Sequence, residues 1–139
     1  MKYQKLLNSE LSRVIARQGH MDELTLGDAG LPVPDAVSRI DLAVIPGLPG
    51  LLDVLDAVLS ELTIEGVLLA EELKDQSPDF HAALCARLDA LSEQSGQAVT
   101  RNYVSHGQFK ERTRRSKAVI RTGEVTPFAN IVLISGVAF

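Results

Sequence analysis

The chain has 139 residues, of which 45% are hydrophobic, and its formal net charge is −4. A chain of this length can bury a real core as one domain, and its apolar content argues against disorder. The acidic balance disfavours generic nucleic-acid binding, and the apolar runs fall far short of the roughly 20 residues that a membrane helix needs. A single cysteine, Cys85, excludes an intramolecular disulfide. No apolar stretch follows the first lysines, so we expect no signal peptide and a cytoplasmic protein.

A helix and a buried strand are predicted for the first 30 residues. Asn8 can cap a helix with apolar residues at every third or fourth position, and Gly19 suits the position just past its end. The apolar run 24–26 predicts a strand that delivers Asp28 at its C-terminal end. Ligand sites in open α/β sheets form outside the carboxyl ends of strands. Asp28 is therefore a candidate site residue, although an Asx-type turn explains it equally well.

Strands and helices alternate through the rest of the chain. Strands are predicted at 39–44, 63–69, 99–104, 118–120 and 131–134, and helices at 51–59, from Pro78 to a stop at Gly96, and at 108–114. This alternation favours an α/β class, with a central β-sheet flanked by helices in one layered domain over residues 1–139.

Two histidines lie at predicted element boundaries. His20 follows the first helix, where an imidazole can simply interact with the helix dipole. His106 lies at a strand-to-helix junction, where the preceding Ser105 can serve as a cap. His81 falls on a helix face that we expect to be exposed, so we set it aside. An imidazole and a carboxylate are the minimal groups for moving a proton on and off a small molecule, so His20 and Asp28 indicate an acid/base site.

Other chemistries find less support in the sequence. Two histidines and an aspartate are available for a metal, but they are dispersed and lack the tight ligand spacing of metal sites. Cys85 lies inside a helical pattern, which favours a buried, inert thiol. The glycines at 27–30 lack both the spacing of a phosphate-binding loop and a following Lys-Ser/Thr pair.

The segment before the last strand carries groups that suit a polar ligand. Pro127 favours an extended or turned backbone, Phe128 offers a ring face that can stack on a sugar, and Asn130 offers amide donors and an acceptor. A tight turn into the strand is an equally good explanation. The residues by themselves therefore indicate only a small polar-ligand site with acid/base groups.

Ordered sequence blocks carry a resemblance to a known family. The blocks are Gly19-His20-Met21-Asp22, Asp28-Ala29-Gly30-Leu31-Pro32-Val33-Pro34, Arg39-Ile40-Asp41, Ala70-Glu71-Glu72, His106-Gly107-Gln108-Phe109-Lys110, Val119-Ile120-Arg121-Thr122-Gly123-Glu124 and Pro127-Phe128-Ala129-Asn130-Ile131. Together they resemble the ribose pyranase and fucose mutarotase family, and the turn that begins at Asp28 favours its ribose branch. The resemblance runs from about Leu7 to Phe139.

The resemblance implies a cofactor-free, metal-free cytoplasmic isomerase that interconverts the pyranose and furanose forms of D-ribose. It implies a homodecamer of two stacked pentameric rings, with sites near subunit boundaries and no nucleic-acid or membrane partner. The residues that it implies for the site are His20 as the proton donor, and Asp28, His106, Lys110, Phe128, Ala129 and Asn130 as the groups that hold the sugar. Many relatives carry Tyr at position 128, so the ring face is kept here but a hydroxyl donor is missing.

Two alternatives remain beside the ribose isomerase. A non-catalytic sugar-binding module of a ribose uptake system needs Asp28, Phe128 and Asn130 but not His20. A fucose-type mutarotase would apply the same acid/base chemistry to another sugar. The apolar end of the chain, residues 137–139, needs cover from its own domain, from a neighbouring subunit or from both, and the resemblance favours the neighbour.

Overall fold

Six strands form one sheet in the computed structural model, which describes residues 1–139. The strands are β1 (Glu23–Gly27), β2 (Ser38–Asp41), β3 (Ile64–Ala70), β4 (Thr100–Val104), β5 (Ala118–Arg121) and β6 (Ile131–Ser135). The helices are α1 (Ser9–Ala16), α2 (Leu51–Leu59), α3 (Glu71–Gln76), α4 (Pro78–Ser95) and α5 (His106–Arg112), and a 3₁₀ turn at Thr113–Arg115 follows α5. The predicted α/β class, a central sheet flanked by helices, is confirmed.

The strand order is β2-β5-β1-β6-β3-β4, and only β6 runs antiparallel to its neighbours. The start of β6 therefore lies at the same edge of the sheet as the ends of the other strands. We call this edge the carboxyl edge. The opposite edge, where β1 and β3 begin and β6 ends, is the amino edge.

Apolar residues cover both faces of the sheet, but to different extents. The larger cluster joins the sheet to α1, α2 and α4 and includes Leu24, Leu55 and Leu88. The smaller cluster, on other residues of the central strands, includes Phe109 of α5. Every residue of β1 is buried, as expected for a strand covered on both faces. A fully buried leucine contributes about 1.5 to 3 kcal/mol, so these clusters fix the strand ends from which the polar groups project.

Several predicted boundaries move in the structure. The first helix ends at Ala16 with Arg17 as its cap, so the prediction that Gly19 follows its end is wrong. The second strand stops at Asp41, because the chain then turns into the loop before α2. The last helix, α5, begins at His106 rather than at residue 108, because Ser105 forms a complete capping box with Gln108.

The prediction that His81 lies on an exposed helix face is wrong. His81 Nε2 lies 2.7 Å from the hydroxyl of Tyr103 and 3.4 Å from Cys85 Sγ, and both His81 and Cys85 are only half-buried. The chain ends after β6 without another strand, and Phe139 is fully exposed. No helix combines the length and the apolar character required to span a membrane.

Candidate active site

Asp28 and Asn130 form a reciprocal pair at the carboxyl edge. Asp28 follows β1 and Asn130 precedes β6, and these two strands are neighbours. The Asp28 backbone N–H donates to Asn130 Oδ1 at 2.8 Å, and Asn130 Nδ2 donates to Asp28 Oδ2 at 3.1 Å. The N–H of Gly30 donates to the other carboxylate oxygen at 2.9 Å. Asn130 is only 1% exposed, so the carboxylate is fixed while each oxygen keeps a lone pair for a ligand.

A strained backbone position aims the ring of Phe128. Its φ is +61°, in the left-handed region that non-glycine residues rarely adopt. The conformation is held because Ala129 N donates to Thr126 O at 3.2 Å and the Ser77 hydroxyl donates to the Pro127 carbonyl at 2.9 Å. The Phe128 ring then meets the ring of His106 edge to face, with centroids 5.1 Å apart.

His106 begins α5 and has two further contacts besides Phe128. Its backbone N–H donates to Glu72 Oε2 at 2.8 Å, and its imidazole lies parallel to the ring of Phe109, with centroids 6.5 Å apart. The Nδ1 atom of His106 is buried and has no hydrogen-bond partner within the chain, and such atoms in native proteins call for a partner from elsewhere. Lys110 lies one helical turn later on the same face of α5 and is exposed.

Glu124 and Arg121 brace the turn after β1 from behind. Glu124 O accepts from Ala29 N at 2.8 Å, and Arg121 Nε donates to Ala29 O at 3.0 Å. The Glu124 carboxylate also accepts a hydrogen bond from Leu51 N at 3.0 Å and so caps the N-terminus of α2. The residue at the cap position of α2 itself has no side-chain acceptor. Sequence reasoning missed Glu124, Glu72 and Ser77 in these roles. The only available signal was that Glu72 and Glu124 fall inside the blocks that carry the family resemblance.

His20 lies at the other edge of the sheet. It precedes β1, whose five residues separate it from Asp28 by about 17 Å of strand at 3.3 Å per residue. Its Nε2 lies 2.9 Å from Glu65 Oε2, and its side chain is 53% exposed. One chain thus brings together Asp28, His106, Phe128, Ala129 and Asn130, with Lys110 nearby, and leaves His20 apart. We call the first five residues the carboxyl-edge cluster.

The turn that carries His20, Gly19 to Asp22, is held by its own hydrogen bonds. Gly19 N donates to Asp22 Oδ2 at 2.8 Å, and Met21, with φ at +70°, donates its N–H to Ser135 O at 2.9 Å. The hydrogen bond from Gly19 lowers the pKa of Asp22, as does Lys117, whose Nζ lies 3.5 Å from Asp22 Oδ1. We call this segment the His20 turn.

Two cavities lie beside the elements that carry the carboxyl-edge cluster. A cavity of about 520 Å³ runs along α5 and is lined by Gly107, Gln108 and Glu111 among others, but not by Asp28 or Asn130. Another of about 500 Å³, beside Ser77 and Thr126, also excludes the pair. Small-molecule sites usually bury most of their ligand. Neither of these two cavities therefore encloses the Asp28–Asn130 pair.

The cluster offers a fixed carboxylate, an amide, an imidazole and a ring face. Hydroxyl groups both donate and accept hydrogen bonds, so a carboxylate and an amide can hold two of them side by side. A ring face is suited to the C–H face of a sugar. This arrangement suits a small polyhydroxylated molecule, and the imidazole is the side-chain type whose ordinary pKa allows it to give and take a proton near neutrality.

The chain matches proteins of one family over its whole length. The model of the RbsD / FucU transport protein family matches residues 1–138. The D-ribose pyranase of Aliivibrio fischeri (strain MJ11) is 52% identical over 139 residues, and that of Photobacterium profundum is 54% identical, with full coverage of both chains in each case.

Solved structures share the fold. The structure of Bacillus subtilis RbsD complexed with D-ribose is 42% identical, covers all of both chains and superposes with a TM-score of 0.87. The fucose mutarotase of Streptococcus pneumoniae in complex with L-fucose is 20% identical, covers 95% of this chain and 94% of its own, and has a TM-score of 0.71. This second likeness is one of fold alone.

Proposed function

The chain belongs to the RbsD / FucU transport protein family, and from that premise we propose that it is an enzyme that interconverts the pyranose and furanose forms of D-ribose. Relatives named D-ribose pyranase are more than half identical to it over their full length. Within the structure, the observation that carries the proposal is the reciprocal Asp28–Asn130 pair, which immobilises a carboxylate at the same edge of the sheet as His106, whose Nδ1 is unpartnered.

The chemistry requires only proton transfers. Pyranose and furanose forms exchange through the open-chain aldehyde, so a proton must reach the ring oxygen while one leaves the anomeric hydroxyl. When the ring closes again through a different hydroxyl, the proton taken from the anomeric hydroxyl returns to the carbonyl oxygen, and the proton of the attacking hydroxyl restores the donor. Positioned acid/base groups speed such steps by roughly 10² to 10⁴, which is useful for a reaction that already proceeds unaided in water.

We assign sugar binding to the carboxyl-edge cluster and Lys110. The Asp28 carboxylate accepts from sugar hydroxyls, and Asn130 Nδ2 has one hydrogen left to donate after its bond to Asp28. Phe128 lies under the sugar face, and the Ala129 backbone, fully buried, fixes the spacing between that ring and Asn130. Since residue 128 lacks a hydroxyl, its ring takes part in binding and not in proton transfer.

We assign proton donation to His20, supplied by a second copy of the chain. His20 and Asp28 of one chain lie at opposite edges of the sheet, neither cavity beside the carboxyl-edge cluster encloses the Asp28–Asn130 pair, and His20 is half-exposed. A head-to-tail contact that brings the amino edge of one copy to the carboxyl edge of the next encloses the cluster and supplies it with His20. Repetition of such a contact closes into a ring. A pentameric ring, two of which stack into a decamer, is the assembly that we propose.

Exposed apolar side chains on both edges support this assembly. Val44, Ile45, Leu48 and Val125 are all more than half exposed, and the backbone of their loops meets at the Gly47 N–Gly123 O hydrogen bond. Met21 lies in the His20 turn and is 59% exposed. Burial of about 1.5 to 3 kcal/mol per such side chain makes a subunit contact favourable. We place the assembled enzyme in the cytoplasm, where a lone thiol stays reduced.

Exchange spectroscopy by NMR on D-ribose at equilibrium tests the function. We expect the protein to broaden the pyranose and furanose signals of D-ribose and to produce exchange cross-peaks between them. At the same protein concentration, we expect the anomers of L-fucose to exchange at their unaided rate. Equal or faster exchange of L-fucose would move the protein to the mutarotase branch. Binding of D-ribose by calorimetry without any acceleration would instead support the non-catalytic sugar-binding module.

A further inference from the structure

We propose that Glu65 is the positioning residue of the proton donor, fixing which nitrogen of His20 faces the sugar. This inference rests on the proposed function, because it takes His20 as the donor. Glu65 lies in β3, 45 positions along the chain from His20, and its carboxylate is the hydrogen-bond partner of the imidazole within the chain. Nothing in the local sequence around His20 would reveal this partner.

A β-bulge delivers Glu65 to His20. Ile64 of β3 pairs with Ser135 of β6, yet Gly66 pairs with Ile134, so Glu65 is an extra residue opposite a single step of β6. A regular strand points successive side chains to opposite faces, whereas a bulge turns one of them aside. Bulges of this kind recur beside active sites, where they re-aim a side chain.

The bulge is locked by close packing against β4. The Thr100 hydroxyl donates to Glu65 O at 3.3 Å. A Cβ on Gly66 would come within 2.5 Å of Thr100 Oγ1, so glycine is required at that step. Behind it, Gly136 N donates to Thr63 O at 2.9 Å and holds the end of β6 against the start of β3. The carboxylate of Glu65 therefore starts from a rigid backbone.

The His20 turn approaches the same point from β1. Met21 adopts a left-handed backbone, and its N–H and the C=O of Asp22 both bond to Ser135, the residue of β6 that faces the bulge. Two irregular segments on separate strands thus meet across the end of β6. The side chains that they bring together, His20 and Glu65, are 53% and 42% exposed. Exposed ion pairs add little to stability. Stabilisation of the fold therefore does not explain why His20 and Glu65 are held together.

The purpose of the contact is control of the imidazole. With Nε2–H donated to the Glu65 carboxylate, the ring cannot rotate and Nδ1 is left as the nitrogen that exchanges a proton with the sugar. The second nitrogen of a working histidine is commonly fixed in this way. On ring opening, the proton of Nδ1 passes to the ring oxygen, and the anomeric proton passes to the acceptor that holds that hydroxyl. On closure, that acceptor returns its proton to the carbonyl oxygen and Nδ1 takes the proton of the attacking hydroxyl, while Nε2–H stays with Glu65 throughout.

Glu65→Ala, Glu65→Gln and the control Glu93→Ala test the inference. Glu93 is an exposed glutamate of α4 for which no ion pair is formed. We expect Glu65→Ala to lower kcat by about tenfold to a hundredfold, as a misplaced group does, with KM within about twofold of wild type. Glu65→Gln keeps an acceptor oxygen and should fall between Glu65→Ala and wild type. Glu93→Ala should match wild type.

The ¹⁵N shifts of the His20 ring provide a readout that does not depend on activity. We expect wild type and Glu65→Gln to show the Nε2–H form when the ring is neutral, and Glu65→Ala to show a mixture of both tautomers. Unchanged shifts and an unchanged kcat in Glu65→Ala would overturn the positioning role while leaving the proposed function intact. Wild-type exchange in His20→Ala would instead overturn the donor assignment on which the proposed function and this inference both depend.

Discussion

The two edges of the sheet hold their polar groups by different means. At the carboxyl edge, Asn130 is buried, hydrogen-bonded to Asp28 in both directions and continuous with the core strand β6. At the amino edge, His20 lies on a half-exposed turn held mainly by backbone hydrogen bonds and by the Asp22 carboxylate. One edge is part of the packed interior, whereas the other is a surface feature of a rigid sheet.

This contrast separates affinity from rate. Groups that hold a sugar must be immobile before it arrives, because ordering them on binding weakens affinity. A proton donor needs correct placement in the transition state, and its loss lowers the rate with little change in binding. Changes at the carboxyl edge should therefore affect stability and affinity together, while changes at the amino edge should affect only kcat.

Asn130→Ala is expected to produce the largest effect. It removes both hydrogen bonds with Asp28 and should cost about 1 to 3 kcal/mol of the free energy of unfolding, at roughly 0.5 to 1.5 kcal/mol per bond. The freed Asp28 carboxylate should also lose its orientation, so D-ribose binding should fall below detection by calorimetry. Asn102→Ala is the matched control, since Asn102 is exposed on the edge strand β4. Retained affinity in Asn130→Ala would break the proposed link between the buried pair and binding.

His20→Ala should come next, with exchange of D-ribose reduced roughly 10²- to 10⁴-fold. Because the His20 turn lies outside the carboxyl-edge cluster, calorimetric affinity for ribose should stay within a few-fold of wild type and the melting temperature should not move. His81→Ala serves as the histidine control and should keep wild-type exchange. A parallel loss of affinity and rate in His20→Ala would erase the distinction between the two edges.

Added EDTA should leave the wild-type rate unchanged.

Asp22→Ala should have the smallest effect, a decrease in kcat of a few-fold, because the His20 turn keeps its backbone bonds to Ser135. The Gly19 hydrogen bond lowers the pKa of Asp22. The support that this carboxylate gives is therefore complete above its ordinary pKa and is lost only as the pH falls through the lowered value. Asp22→Ala and wild type should consequently differ at neutral pH and converge in strong acid, where amide exchange at Gly19 reports the turn. Asp75→Ala is the control, since Asp75 is exposed on α3.

The sequence predicted the sheet well because periodicity and caps are local signals. The buried run of β1, the cap at Asn8 and the stop at Gly96 were all readable from neighbouring residues. The start of α5 was missed although its capping box is local, and α2, whose bounds were predicted correctly, has a cap that was not predicted. The N-terminus of α2 is capped by Glu124, 73 positions away, and no local pattern reports such a partner.

The candidate site divides in the same way. Asp28, His106 and Asn130 could be singled out because each lies where a strand ends or begins. That His20 and Asp28 lie at opposite edges follows from the direction of β1, which the prediction contained, but its consequence for a single chain emerges only with the complete sheet. Glu65 was not predicted at all, since a β-bulge depends on the register between β3 and β6.

We propose that His20 and Asp28 of one working site come from different copies, and a mixture of two inactive variants tests this arrangement. His20→Ala and Asp28→Asn chains are co-expressed, and D-ribose exchange is measured by NMR on the mixed assembly and on each variant alone. In a closed ring of randomly mixed chains, about a quarter of the sites combine an intact Asp28 with an intact His20 from the neighbour. We therefore predict that the mixture recovers about a quarter of wild-type exchange while each variant alone shows almost none. A mixture as inactive as its components would contradict the account.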